Sequence, residues 1–114
     1  MYSGSSNLVD VGWFGDEGGN SNGKTHPVGQ MEANKLGLYD MSGNVEEWCK
    51  DTWHKDYNGA PTDGGAWVVD GDGPDRVVRG GSWYLSEWFC RVFHRGRLTQ
   101  DNRLGDLGFR LARD

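Results

Sequence analysis

The stretch RGGSWYLSEWFCRVFHRGRLTQDNRLGDLGFR, residues 79–110, decides the fold of this chain, because two kinds of residue alternate along it. One kind is interpreted as framework. Gly80 and Gly81 permit positive φ or close backbone approach, and Trp83 and Phe109 are predicted to be core aromatics. Each arginine can donate hydrogen bonds to several loop carbonyls. The framework set is Arg79 to Trp83, Cys90, Arg91, Arg95, Asn102, Arg103 and Gly108 to Arg110.

The second kind of residue fills the gaps and is interpreted as binding surface. These residues follow neither the period of two of a strand nor the period of 3.6 of a helix. They mix aromatic, charged and small side chains, as interfaces do. The set is Tyr84, Leu85, Ser86, Glu87, Trp88, Phe89, His94, Gly96, Arg97, Leu98, Leu104, Gly105 and Asp106.

Length and composition predict one loop-rich domain over residues 1–114, since a chain of this length can bury a single core. The 19 glycines, six tryptophans and mean hydropathy of -0.76 indicate a fold held by a few large aromatics. The net charge of -5 argues against nucleic-acid binding. Residues 79–114 nevertheless carry seven arginines against four acidic residues, net +3, which leaves -8 for residues 1–78.

The sequence also limits the location of the chain and the state of its two cysteines. No apolar run is long enough for a membrane span, and the first residues do not resemble a signal peptide, so a soluble chain of unassigned location is expected. Cys49 and Cys90 fit one disulfide, two buried thiols or half of a redox pair.

Short elements separated by turns are predicted before residue 79. Met1–Asn7 is expected to be an exposed lead-in, Leu8–Phe14 a strand and Gly15–Lys24 a loop. A turn at Ser42–Asn44 precedes an alternating segment, and Arg76–Arg79 is predicted to be a strand.

Two further features of this region have structural and metal-binding interpretations. Asp51–Asp75 is a long polar excursion that its own aromatics could hold down. Asp70, Asp72 and Asp75 resemble an acidic cation loop but lack the other features of an EF-hand, so a solvated turn is favoured. His26 is interpreted as a hydrogen-bonded structural residue rather than a ligand.

Four motifs carry a family resemblance. They are THPVGQ at Thr25–Gln30, NKLGLYDMSGNVEEW at Asn34–Trp48, RVVRGGSW at Arg76–Trp83 and GFRLA at Gly108–Ala112. Together they resemble the formylglycine-generating-enzyme superfamily. The resemblance implies an α+β, C-type-lectin-like fold with short strands, many loops and little helix. The family's upstream half is not in this sequence, so the chain is either a minimal member or the C-terminal part of a longer protein.

The enzymatic chemistry of that family depends on two cysteines that bind copper. Cys90 matches the second of them, but Leu85 stands at the place of the first. A single thiolate cannot form the two-coordinate soft site that Cu(I) favours. The resemblance therefore implies that the chain is not an enzyme, and a copper or thiol oxidoreductase is the alternative.

A second subgroup is more similar. The spacing of Trp83, Cys90-Arg91, Arg95, Asn102-Arg103 and Gly108-Phe109-Arg110 closely resembles the variable region of proteins diversified by diversity-generating retroelements. This resemblance implies that residues 79–110 form a ligand-binding variable region and that the thirteen gap residues are its diversified positions. A protein ligand is favoured over a small molecule, because thirteen positions suit a broad contact better than a pocket. No cofactor is required for such a function.

The resemblance also implies a structural calcium ion. In formylglycine-generating enzymes a calcium lies at the turn that corresponds to Ser42, Gly43, Val45 and Glu47, which offer hard oxygen donors. The alternative is that Glu47 bridges framework arginines.

Overall fold

A four-stranded sheet positions the C-terminal third of the chain in this computed structural model, which describes residues 1–113. The strands are β1 (Glu46–Thr52), β2 (Asp75–Arg79), β3 (Gly96–Thr99) and β4 (Leu107–Gly108), in the order β3-β2-β1-β4. β2 pairs antiparallel with β1 and β3, and β4 pairs parallel with β1. The only helices in the described chain are α1 (Leu8–Val11) and one 3-10 turn (Glu87–Cys90). The prediction of short strands with little helix is confirmed.

The core joins the N-terminal segment to the framework of the C-terminal third. Tyr2, Leu8, Val11, Phe14 and Cys90 form one buried cluster. Two predictions were wrong here. The expected exposed lead-in contributes the buried Tyr2, and the expected strand begins as α1, because Leu8 and Val11 three residues apart both reach the core from a helical turn.

The strand predicted at Arg76–Arg79 is confirmed as β2, whose Val77 and Val78 are buried. β1 also forms where a strand-like alternation was expected. Its residues are mostly half-buried on both faces, so the alternation does not separate an inner from an outer side.

Glycines of the framework take the conformation that was predicted for them. Gly80 and Gly81 have φ of 98° and 69°. A Cβ on Gly81 would lie 2.5 Å from the Cys90 sulfur, so this backbone passes directly over the buried thiol. The turn at Ser42–Asn44 has positive φ at Gly43 and Asn44. These turns need residues that tolerate the left-handed region.

Arg79 and Arg110 bond loop carbonyls as expected of framework arginines, whereas the side chains of Arg91 and Arg95 bond no acceptor within residues 1–113. Arg79 donates to the carbonyls of Val92 and His94 at 3.1 and 3.2 Å. Trp83 was predicted to be a core aromatic, but it is only half-buried and lies outside the buried core. The prediction that Phe109 is a core residue was wrong, since 75% of it is exposed. β4 ends at Gly108, and it is Arg110 that contacts β1, through Glu47.

The long excursion is held down by its own aromatics, as the sequence suggested. His54 is buried, stacks on Trp67 at 3.5 Å between ring centroids, and bonds the carbonyls of Thr52 and Val69. Within the acidic stretch, Asp72 accepts a hydrogen bond from the Lys55 amide. The structural role expected for His26 is confirmed, because its ring stacks on Trp13 and bonds the Ser21 carbonyl.

None of the helices in residues 1–113 is long and apolar enough to cross a membrane.

Candidate ligand-binding face

The backbone from Ser82 to Leu85 is held by hydrogen bonds on both sides. The Trp83 amide donates to the Asn44 carbonyl at 2.7 Å, and the Gly15 amide donates to the Leu85 carbonyl at 2.9 Å. Ser82 is fully buried. These contacts use main-chain atoms, so they fix the segment without depending on the side chains of Tyr84 or Leu85.

The thirteen gap residues form three groups along the chain: the first gap is Tyr84–Phe89, the second is His94 with Gly96–Leu98, and the third is Leu104–Asp106. Three large aromatics of the first gap point outward from this support. Tyr84, Trp88 and Phe89 are 68%, 49% and 36% exposed. The 3-10 turn explains the arrangement, because it turns Cys90 into the core while the residues before it stay at the surface. Glu87 is also exposed, and Leu85 and Ser86 are half-buried.

Edge-to-face contacts connect these aromatics to their neighbours. The ring of Phe89 meets that of His94 at 5.0 Å between centroids, and the ring of Tyr84 meets that of Trp83 at 5.7 Å. Burial lowers the pKa of His94, and the positive charge of Arg79 lowers it further. His94 is thus brought to the edge of the first gap and favours its neutral form.

A depression of about 600 Å³ lies beside Tyr84, Leu85 and Phe89. Its other wall is the loop that contains Gly15 and Ser21. Sequence reasoning recognised the loop but missed this role. The contact that places it, from the Ser21 hydroxyl to the Trp83 carbonyl at 2.7 Å, joins residues 62 positions apart. No local pattern could have indicated this contact.

The third gap lies next to the first. The Trp83 indole donates to the Gly105 carbonyl at 3.3 Å, and the Ser82 hydroxyl donates to the Asp106 carboxylate at 2.8 Å. Leu104 and Gly105 are exposed, while Asp106 is half-buried and directed at the framework. We call Tyr84–Phe89 together with His94 and Leu104–Asp106 the binding face.

Gly96, Arg97 and Leu98 of the second gap lie in strand β3, so they are placed differently from the residues of the first and third gaps. Gly96 faces the sheet, since a Cβ there would lie 2.8 Å from a methyl of Val78. Leu98 is half-buried opposite Arg76. Arg97 is exposed, with its guanidinium 3.7 Å from Asp75 and 5.2 Å from the Trp53 ring centroid. The second gap therefore contacts the 51–75 excursion.

Acidic groups collect beneath the binding face. The Glu46 amide donates to the Asp106 carbonyl at 2.7 Å. Burial, reinforced by the charge of Asp106, raises the pKa of Glu46 from 4.5 to about 7.

Burial also raises the pKa of the Cys90 thiol to about 12. Cys49 and Cys90 are both free thiols.

One of the four residues proposed to bind calcium, Glu47, is paired with an arginine. Both Glu47 carboxylate oxygens accept hydrogen bonds of 2.6 Å from Arg110, which also donates to the carbonyls of Tyr39 and Asp40. Glu47 thus bridges a framework arginine, as the alternative interpretation held. A calcium ion at Ser42, Gly43, Val45 and Glu47 would have to share or displace this contact, and the calcium site stays a prediction.

Comparison with known proteins settles the family. The model of the sulfatase-modifying factor enzyme 1-like domain matches residues 5–114. The chain belongs to this family. It is 33% identical over 126 residues to the chaperone protein LppX of Paenibacillus barcinonensis, covering 98% of this chain and 41% of that protein. It is 39% identical over 97 residues to the formylglycine-generating enzyme of Thermomonospora curvata, covering 79% of this chain and 31% of the enzyme.

Solved structures of this family share the fold. PvdO from Pseudomonas aeruginosa superimposes with a TM-score of 0.80 at 34% identity, over 92% of this chain and 40% of PvdO. Treponema denticola variable protein 1 superimposes with a TM-score of 0.73 at 38% identity, over 94% of this chain and 38% of that chain. The predicted C-type-lectin-like fold and the relation to variable proteins are confirmed. The chain spans about two fifths or less of the length of these relatives.

Proposed function

We propose that this chain is a non-enzymatic, receptor-like binding protein whose binding face is diversified by a diversity-generating retroelement. The observation that carries the proposal is the exposure of Tyr84, Trp88 and Phe89 on a backbone that main-chain hydrogen bonds hold in place. Tyrosine and tryptophan are enriched at interface hot spots. A rigid support of this kind lets the contact surface change while the core stays the same.

A protein is the proposed ligand. The binding face combines exposed aromatics with Glu87 and the open depression beside Leu85, and such breadth suits a protein surface. The likeness to Treponema denticola variable protein 1, together with the framework spacing from Trp83 to Arg110, supports the diversification.

The DNA around the gene tests the diversification. We expect a nearby imperfect repeat of the codons for residues 79–110 that differs from the gene at adenines, beside a reverse transcriptase. Independent isolates should differ at Tyr84–Phe89 and Leu104–Asp106 while Arg79–Trp83 stay constant. Isolates that are identical at the binding face but differ in the framework would refute the proposal.

The binding role is tested separately by display. A library randomised at Tyr84, Trp88 and Phe89 should yield folded binders to an arbitrary globular protein such as lysozyme. A matched library randomised at Gly80, Gly81 and Ser82 should yield none. Equal yields of folded clones from both libraries would contradict the division between framework and face.

The alternative function is a copper or thiol oxidoreductase, which the identity to formylglycine-generating enzymes favours. Two observations weigh against it. Leu85 stands at the first cysteine position, and Cys90 is fully buried with a pKa raised to about 12, so its thiolate is scarce at neutral pH. We expect no copper-dependent oxygen consumption with a cysteine peptide. Turnover by the purified chain would establish the alternative.

A further inference from the structure

Three arginines surround two aromatic rings at the outer end of the sheet. The Arg95 guanidinium carbon lies 4.7 Å from the centroid of Trp53 and 4.3 Å from that of Tyr57. The Arg97 carbon lies 5.2 Å from the Trp53 centroid, and Arg79 donates to the Tyr57 hydroxyl at 3.0 Å. We call these five residues the arginine–aromatic patch. It joins the framework, the second gap and the 51–75 excursion.

The three arginines differ in how their donors are used. Arg79 donates its hydrogen bonds inside the protein, to the Val92 and His94 carbonyls and the Tyr57 hydroxyl. Within residues 1–113, the Arg95 guanidinium lies over two rings at cation–π distance but finds no hydrogen-bond acceptor, and Arg97 meets Asp75 only at 3.7 Å. Each guanidinium carries five N–H donors. The planar, fork-shaped guanidinium groups of Arg95 and Arg97 are therefore held in place, and their N–H donors are available to a ligand.

Stacking explains why these forks can select a ligand. An arginine laid over an aromatic ring keeps its plane fixed and directs its N–H groups sideways. Such a planar fork fits a carboxylate in two parallel hydrogen bonds. Because the rings of Trp53 and Tyr57 orient Arg95 before any ligand arrives, less conformational entropy is lost on binding.

Charge favours an acidic partner at this place. The patch has three guanidinium groups against two nearby aspartates, Asp75, which faces Arg97, and Asp72, whose amide donates to the Trp53 carbonyl, whereas residues 1–78 as a whole carry a net charge of -8. An acidic segment is repelled by most of the chain and attracted here, which orients its approach.

The spacing of the forks suits a peptide. Since the Arg95 and Arg97 guanidinium carbons lie 4.7 and 5.2 Å from one centroid, they are at most about 10 Å apart, a range that includes the spacing of two carboxylates on one extended peptide. Carboxylates on alternate residues of an extended chain are about 7 Å apart. The exposed ring of Tyr57, 58% accessible, adds an apolar contact beside them.

We propose that Arg95, Arg97, Trp53 and Tyr57 form a subsite for the carboxylates of an acidic segment in a protein partner. Arg95 and the two rings lie outside the thirteen diversified candidates. The subsite would thus combine a constant part, Arg95 with the rings of Trp53 and Tyr57, and one diversified candidate, Arg97. The inference rests on the proposed binding function, since it names a chemistry for the same kind of partner.

The experiment uses the whole chain and a capped peptide of alternating glycine and glutamate, with the glutamine version as its matched control. In NMR titrations we expect the Arg95 and Arg97 Nε signals and the Trp53 indole signal to shift with the glutamate peptide only. Arg95→Gln with Arg97→Gln should weaken binding at least tenfold. Lys35→Gln removes one positive charge at an exposed position elsewhere and should leave binding within twofold.

Arg95→Lys separates fork recognition from simple attraction. It keeps the charge but loses the planar guanidinium, so we expect at least a fivefold loss of affinity while the free protein stays folded, as its dispersed NMR spectrum reports. Full binding by Arg95→Lys, equal binding of the glutamine peptide, or inorganic phosphate binding as well as the peptide would overturn the assignment.

Failure of this inference and failure of the proposed function give different results. If the glutamate peptide does not bind while displayed variants of Tyr84, Trp88 and Phe89 still select protein partners, only the acid-binding subsite is refuted. If the peptide binds and no variant of the face selects a partner, the subsite stands and the proposed function fails.

Discussion

The segments Ser82–Cys90 and Gly96–Thr99 both carry gap residues, but they are supported in different ways. In the first, main-chain hydrogen bonds from Trp83 and to Leu85 hold an irregular backbone whose large side chains face solvent. In the second, pairing with β2 makes a strand, so successive side chains alternate between sheet and surface. A side chain can therefore be replaced freely in the first segment, where it faces solvent, but not at the β3 positions where it packs on the sheet.

The largest effect should come from breaking the support of the first segment. Gly81→Ala places a Cβ 2.5 Å from the Cys90 sulfur at a φ of 69°. Strain and overpacking together should cost about 2–5 kcal/mol of unfolding free energy. Urea denaturation followed by tryptophan fluorescence measures it. A loss below about 1 kcal/mol would show that the backbone over Cys90 can move aside.

A pair of glycines tests the difference between the gaps directly. Gly96→Ala forces a Cβ to 2.8 Å from Val78, whereas a Cβ on Gly105 meets no atom within 4 Å. We expect Gly96→Ala to cost about 1–2 kcal/mol, after a small gain in strand entropy, and Gly105→Ala to change stability by less than about 0.5 kcal/mol. Equal effects in urea denaturation would remove the distinction between strand and loop gaps.

The acidic groups beneath the binding face should make stability depend on pH. Because the folded-state pKa of Glu46 is raised from 4.5 to about 7, its neutral form is favoured on folding. Its stabilising contribution is complete below about pH 4.5 and is lost as the pH rises to about 7.

Glu46→Gln should remove this dependence. With a discount for partial solvent screening, we expect the variant to gain about 1–2 kcal/mol relative to the parent between pH 5 and pH 8. Asp106→Asn should lower the pH at the midpoint of the parent's stability loss, since it removes the negative charge that also raises the pKa of Glu46. Parallel profiles for parent and Glu46→Gln, from urea denaturation at each pH, would contradict the assignment.

Single substitutions on the binding face should have the smallest effect on stability. Tyr84→Ala removes a side chain that is 68% exposed and should cost less than about 0.5 kcal/mol, and Trp88→Ala, which removes a 49% exposed ring that contacts Arg91 and Phe93, should cost about 1 kcal/mol. Differential scanning calorimetry at one pH measures the change in melting temperature. A loss above about 2 kcal/mol would place these aromatics in the core rather than on a binding face.

Calcium distinguishes the two interpretations of the turn at Glu47. If Arg110 holds both carboxylate oxygens, exchanging EDTA for 5 mM calcium should move the melting temperature by less than about 1 °C, because an ion that binds weakly adds little stability. A rise of several degrees that Glu47→Gln abolishes would instead establish the predicted site at Ser42, Gly43, Val45 and Glu47.

The sequence predicted local features well where one residue type has one physical role. The positive φ of Gly80 and Gly81, the carbonyl-binding role of Arg79 and the strand at β2 all follow from chemistry that is readable within a few residues. Burial was harder to predict. Phe109 and Tyr2 exchanged their expected environments, because burial depends on which distant segment covers a ring.

The sequence alone determined the division of residues 79–110 into framework and gap residues and the resemblance that names the family, since both depend on residue types at fixed spacing. Only the tertiary structure decided how the gaps group. Hydrogen bonds from Trp83 and Ser82 to residues 105 and 106 bring the first and third gaps together. The rings of Trp53 and Tyr57 bring the second gap and Arg95 to the excursion. These contacts join residues more than twenty positions apart, and spacing along the chain does not encode them.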